Sequence, residues 1–185
     1  MNWMTVAWPM VTAACITLAL INLRIALGDV RRAPHVFFSC SSLMVAAISG
    51  FELALLREDD PLRYDTILRW AVLPIALMVV SVTGFVWSFF GTGRAWLAVT
   101  GAGLSMAAQV ANLVTTIPAI RPASAVRTVE TFGGVRFTLP AIVNGPWNWV
   151  DLISVATVIA FVLDASVALW KRGGGRRAGI VGGGI

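Results

Sequence analysis

The sequence predicts an all-α integral membrane protein, a five-helix transmembrane bundle with a small β-hairpin loop on its outer face. Three observations predict it. Charged residues make up 12% of the 185 and hydrophobic residues 58%, whereas a soluble domain carries roughly 25% charged residues. The apolar residues fall in five blocks of the length a helix needs to cross a bilayer, about 20 residues each, and mean hydropathy is +0.82. One long polar interval, residues 118–149, interrupts them and holds four of the eight prolines. Five spans use most of the chain and leave no room for a soluble enzyme domain.

The spans are expected at residues 3–27, 33–56, 66–90, 95–117 and 147–170. The first has Trp3 and Trp8 at its start, where amphipathic rings suit the interface, and ends before Asp29-Val30-Arg31-Arg32. Its length and the lack of a basic leader make it a retained span, not a cleaved signal. The second is rich in small residues from Ser39 to Gly50, which allow close helix approach. The polar run Arg57 to Asp65 follows, with Pro61 expected to keep it from continuing as helix. The third span contains Arg69-Trp70 and Pro74 and closes at Trp87, Phe89 and Phe90. Gly91-Thr92-Gly93-Arg94 is a tight turn. In the fourth, Gly103, Ala107 and Ala111 recur every four residues as a packing stripe, and Gln109 and Asn112 share a helix face. The fifth carries Trp147 and Trp149 as interface anchors at one end and Trp170 at the other.

Residues 118–146 form the outer loop. Within it, Val126 to Phe132 and Val135 to Leu139 flank Gly133-Gly134, which reads as a two-residue hairpin turn. That register sets Phe132 opposite Val135 and Glu130 opposite Phe137. It gives one mostly apolar face, which must rest on the bundle or the lipid, since an isolated hairpin is marginal in water. Residues 1–177 thus make one membrane domain, and residues 178–185 turn hydrophobic again, like the start of a sixth span.

Net charge is +5 and the pI about 10.6, yet the basic residues sit in short connections between spans, where they act as topology signals. With the N-terminus outside, Arg24, Arg31, Arg32, Arg94, Lys171, Arg172, Arg176 and Arg177 fall on the inner side. Arg57, Arg63, Arg69, Arg121, Arg127 and Arg136 fall outside. The C-terminus is then cytoplasmic and residues 118–149 face out. Nucleic acid is not an expected partner.

Charged groups in spans are costly and therefore candidates for function. Glu52 and Arg69 lie near the outer ends of adjacent spans, where an ion pair would fix the helix hairpin or sense a ligand. Asp151 lies one turn inside the same surface and joins them as a candidate sensing residue. Gln109 and Asn112 either bond across helices or line a cavity. Asp164 lies two turns before Lys171 and is expected to pair near the inner surface. Cys15 and Cys40 have no zinc or disulfide spacing and read as packed thiols. His35 is the only histidine, which excludes bis-histidine haem ligation within one chain and multi-histidine metal sites. Lys171 is the only lysine and lies at the interface, which excludes a mid-membrane Schiff base. No serine sits in a nucleophile motif. No catalytic residue, metal or cofactor is expected.

Several local patterns together resemble the multi-helix N-terminal membrane region of bacterial sensor histidine kinases that carry PAS modules. They are Trp8 with Cys15-Ile16-Thr17-Leu18-Ala19, Glu52-Leu53, Leu68-Arg69-Trp70 with Pro74, and Gly84-Phe85-Val86. Gly93-Arg94-Ala95-Trp96-Leu97-Ala98, Asn112-Leu113, Gly145-Pro146-Trp147, Asp164-Ala165 and Trp170-Lys171-Arg172-Gly173 follow. Arg176-Arg177-Ala178 with Ile180-Val181-Gly182-Gly183 completes the set. The resemblance spans nearly the whole chain, though each motif is short and none is catalytic. It implies about seven spans, a bacterial inner-membrane location, a homodimer, an outer sensory face and a cytoplasmic PAS and kinase output. The chain carries no phosphoacceptor or ATP-binding motif, and so reads as a fragment or a truncated homologue. The family has a histidine shortly before the span-three proline; here the stretch is Ala71-Val72-Leu73-Pro74. The alternative readings are a small transporter or channel component, which needs polar residues at the membrane midplane, and a membrane enzyme handling lipid, which a single histidine disfavours.

Overall fold

A backbone in hydrocarbon must satisfy its own hydrogen bonds, and the long apolar runs of this chain do so as helices. The structure is a computed structural model and describes residues 3–28, 33–58, 60–114, 120–131, 135–144 and 146–171. The helices are α1 (Trp3–Leu27), α2 (Ala33–Leu55), α3 (Pro61–Phe90), α4 (Ala95–Val114) and α5 (Pro146–Lys171). All five are long and apolar enough to cross a membrane. The truncated sixth span expected at residues 178–185 lies outside the described residues.

Chain neighbours are spatial neighbours. α1 packs on α2, α2 on α3, α3 on α4 and α4 on α5, with a further contact between α3 and α5. Each sequential pair is antiparallel. Ser39 Oγ donates to Ala19 O at 2.7 Å between α1 and α2. The rings of Phe38 and Phe85 lie 6.0 Å apart between α2 and α3. Arg69 reaches the last turn of α4, and Ser154 Oγ donates to Gly101 O at 2.8 Å between α4 and α5. The bundle therefore has two ends, one holding Pro61, Val114 and Pro146 and the other Leu27, Ala33, Gly91 and Lys171.

The third helix starts earlier than its polar composition suggests. Asp60 is its N-cap and accepts from Leu62 N–H at 3.0 Å. Pro61 stands in the first helical position, where its missing N–H costs nothing and its fixed φ favours the helix. Pro61 thus opens α3 instead of breaking it, and the connection after α2 shrinks to a few residues. Pro74 is accommodated within α3 and buried. At the other end Gly91 takes the left-handed conformation (φ 58°) and donates its N–H to Trp87 O at 3.0 Å, a glycine C-cap.

The small residues of α2 do what their size allows. Ser39, Ser42, Ala46 and Ser49 are its buried residues, and the Phe37 ring presses on Gly84 of α3, where any side chain would collide with it. The fourth helix departs from expectation. Its buried stripe is Ala98, Gly101, Ser105, Ala108, Gln109 and Asn112, whereas Gly103 and Ala107 are exposed and a Cβ at Gly103 would meet nothing within 4 Å. The face toward α5 is the one phased with Gly101 and the polar residues. A core of Val86, Ala98, Val158, Phe161, Val162 and Ala165 joins α3, α4 and α5 near the Gly91 end.

Between α4 and α5, β1 (Ile120–Thr131) and β2 (Val135–Asn144) pair antiparallel, and β1 lies against α3. The register is Thr131 opposite Val135, Glu130 opposite Arg136 and Val129 opposite Phe137, with an irregularity between Pro122 and Val126. This register differs by one residue from that expected of a two-residue Gly133-Gly134 turn, which would set Glu130 opposite Phe137. A shift of one residue exchanges every cross-strand pair, so Phe137 is opposite Val129 and not Glu130. The Gly133-Gly134 turn itself lies outside the described residues.

Candidate functional site

An almost wholly apolar α4 buries three consecutive polar positions on one face. Ser105 and Asn112 are 1% exposed and Gln109 is 2% exposed. Spacings of four and three residues stack them along the helix toward the Pro61 end. Asn112 Nδ2 donates to Gln109 Oε1 at 3.4 Å. Gln109 Nε2 and Ser105 Oγ are buried with no hydrogen-bond partner. Each such group in an apolar interior costs about 1–3 kcal/mol, so this stripe carries unmet donor capacity.

Asp151 supplies the charge beside it. One turn into α5 and half-buried, its carboxylate lies close enough to Ser105 Oγ to feel it electrostatically, without a hydrogen bond of standard geometry. One turn further, Ser154 is fully buried and bonds to Gly101 O. The α4–α5 seam is thus polar from Gly101 toward the Pro61 end and apolar toward the Gly91 end.

Arg69 closes the seam. Its Nε donates to Asn112 O at 3.1 Å and its Nη2 to Leu113 O at 2.8 Å. The last carbonyls of a helix lack intrahelical partners and carry its negative dipole end, so a guanidinium there is both capping and charge-complementary. The Glu52–Arg69 ion pair expected from the sequence is absent among the described residues. Glu52 is exposed on α2, and the described hydrogen bonds of Arg69 run to α4. A cavity of about 310 Å³ opens beside the guanidinium, lined by Asp65, Thr66, Arg69, Trp70 and Leu113. Four of the five candidate residues therefore cluster at one end, Arg69, Gln109, Asn112 and Asp151, and Glu52 does not join them. Ser105 belongs with them and was missed. Its spacing of four from both Gly101 and Gln109 was the available signal.

No known protein family matches the chain, and neither curated proteins nor solved structures provide a match. The site stands on its geometry. Among the described residues no group of three or more His, Cys, Asp or Glu side chains is placed to hold a metal.

The opposite end has its own polar ties. Asp164 does not pair with Lys171 but reaches the α3–α4 turn. Its Oδ2 accepts from Arg94 N–H at 2.9 Å, and Arg94 Nε lies 3.9 Å from Oδ1. Thr92 Oγ1 donates to Ala165 O at 3.1 Å. Gly93 (φ 99°) leaves room for this contact, since a Cβ would sit 3.0 Å from Phe161 and 3.1 Å from Ala165. The anchor tryptophans stand at the helix termini, with Trp149 and Trp170 exposed and Trp147 half-buried.

Proposed function

We propose that the chain is the membrane-embedded sensory input region of a two-component sensor histidine kinase of the bacterial inner membrane. Its N-terminus lies outside, its strand pair caps the outer end, and it works as a homodimer. The observation that carries this reading is the unsatisfied polar stripe of Ser105 and Gln109 next to Asp151 and Arg69, at the end of the bundle that holds the long polar interval. A signal that supplies the missing partners favours one packing of α4 on α5 over another, which is what population-shift sensing requires. The shift travels along α5 to Asp164 and the Arg94 turn, and from there to a cytoplasmic PAS and kinase module. The resemblance of the short motifs and the basic inner connections support the same reading.

The test is autophosphorylation of the full-length protein in membranes. Asp151→Asn and Gln109→Leu are expected to change basal phosphorylation severalfold. Unchanged phosphorylation in both variants rejects the stripe as the input, and a reading frame that encodes no phosphoacceptor module beyond Ile185 rejects the kinase assignment.

A second reading, a small transporter or channel component, is favoured by one observation. Ser105 lies midway along α4, so the polar stripe begins near the middle of a span, where transporters place their substrate sites. Flux of a solute into vesicles holding the protein alone decides for it.

A further inference from the structure

The only histidine of the chain takes no part in that site. His35 opens onto a groove between α1, α2 and α3, near the Gly91 end, with a volume of about 340 Å³. Leu18, Asn22, Phe38, Phe85 and Phe89 line it with His35. Leu18, Phe38 and Phe89 are exposed, so the groove opens sideways toward the lipid. The volume lies in the lower part of the range of small-molecule sites, about 300–1,000 Å³.

Hydrogen bonding sets what His35 offers. Asn22 Nδ2 donates to Leu18 O at 2.9 Å, which turns the amide oxygen toward the imidazole. Asn22 Oδ1 lies 2.9 Å from His35 Nδ1. An amide oxygen only accepts, so Nδ1 carries the hydrogen, and in the neutral ring Nε2 is a lone-pair acceptor. The groove thus has one polar requirement, a ligand that donates an O–H or N–H.

The walls define the rest of the ligand. Phe38 and Phe85 have centroids 6.0 Å apart, and Phe85 and Phe89 are stacked at 5.4 Å. These are the spacings of paired rings, and a guest ring continues the series better than an acyl chain does. His35 stands near the first turn of α2 and Phe89 near the last residue of α3, which sets the polar contact and one ring close to the membrane surface and the Phe38 and Phe85 rings about a turn deeper.

We infer that the groove between Asn22–His35 and Phe38–Phe85–Phe89 binds a membrane-dissolved hydroxylated aromatic ring, the chemistry of a quinol, with its hydroxyl donating to His35 Nε2. This goes beyond the sensory reading above and does not depend on it, because the two sites lie at opposite ends of the bundle and share no residue. The oxidised quinone has only acceptor oxygens and cannot make this bond, so the site favours the reduced form.

The experiment uses the whole chain in lipid nanodiscs with ¹⁵N-labelled histidine, where His35 is the sole reporter. The probes are decylhydroquinone, the matching decylbenzoquinone and decanol. The Nε2 resonance is expected to move saturably with decylhydroquinone, which binds about tenfold more tightly than the quinone, the effect of one hydrogen bond. Asn22→Leu, which releases the tautomer, loses that preference while keeping the thermal unfolding midpoint. Equal binding of hydroquinone and quinone, or an unmoved Nε2 resonance in the wild type, overturns the proposal. Full competition by decanol overturns it in favour of a groove filled by lipid chains.

Discussion

Ser154 and Gly101 hold α5 and α4 at a close backbone approach. The serine hydroxyl donates to the glycine carbonyl at 2.8 Å, and a Cβ on Gly101 would lie 2.7 Å from Val158 Cγ2 and 3.3 Å from Val158 N. The valine methyl can turn aside, whereas the backbone nitrogen cannot move without the helix. Gly101→Ala is therefore expected to destabilise the bundle by about 1–3 kcal/mol, the range of overpacking. Gly103→Ala, facing open space, is expected to be neutral or slightly stabilising, because alanine favours helix. Thermal unfolding of both variants in the same detergent checks the contrast.

The Arg69 cap makes a prediction that separates it from an ion pair. Arg69→Met removes two charged hydrogen bonds to the α4 carbonyls and is expected to cost about 1.5–3 kcal/mol. Glu52→Gln is expected to stay within about 0.5 kcal/mol. The double variant is expected to equal their sum within about 0.5 kcal/mol. A larger coupling in the double-mutant cycle contradicts the absence of a Glu52–Arg69 pair.

At the other end, the Arg94 amide depends on Asp164 and not on the arginine side chain. Its N–H···Oδ2 distance is 2.9 Å, while the guanidinium contact is 3.9 Å with an exposed Arg94 side chain, and exposed ion pairs contribute about 0–1 kcal/mol. Asp164→Ala is expected to speed hydrogen exchange at the residue-94 amide about tenfold. Arg94→Ala is expected to leave that amide protected, and Lys171→Ala is expected to leave it unchanged. Site-resolved hydrogen exchange measures all three.

The polar stripe predicts stability gained by removing polarity. Ser105→Ala deletes a buried hydroxyl that makes no hydrogen bond of standard geometry and gives up only its weak electrostatic contact with Asp151, and Gln109→Leu deletes an unpaired amide N–H while giving up the long 3.4 Å contact to Asn112. Each is expected to stabilise the bundle by about 1 kcal/mol and to dull any response that depends on the stripe. A lower unfolding midpoint in both variants contradicts this.

The five helices were legible because long apolar runs have one solution in lipid, and Gln109 with Asn112 was legible because helical spacing alone puts them on one face. The face of α4 that packs was not. In a span that is apolar all round, hydropathy carries no inside or outside, and two small-residue series run in parallel, one from Gly101 and one from Gly103. Only the first is in phase with Ser105, Gln109 and Asn112, and that coincidence of size and polarity was the usable clue. The partner of Arg69 was hidden for another reason. Ends of helices offer carbonyls that no sequence spells out, so a search for charge partners runs to the nearest acid, here Glu52. The strand register was not legible, because a glycine pair marks a turn without fixing which residues pair across it.

The order of neighbours along the bundle has a consequence for its synthesis. Each of α2, α3 and α4 emerges from the ribosome to meet a packing partner already in the membrane, because α2 lies on α1, α3 on α2 and α4 on α3, although α4 packs most extensively on α5. Only α5 is different. It arrives after the long polar interval and must lodge against both α4 and α3 at once, completing the Gly101 seam and the Thr92 and Arg94 ties together. Until then the Gly101 face of α4 lacks the Ser154 and Val158 contacts. The nascent protein is therefore most exposed to quality-control factors while residues 115–145 are being made, and the arrival of α5 is the step that commits it to its final shape.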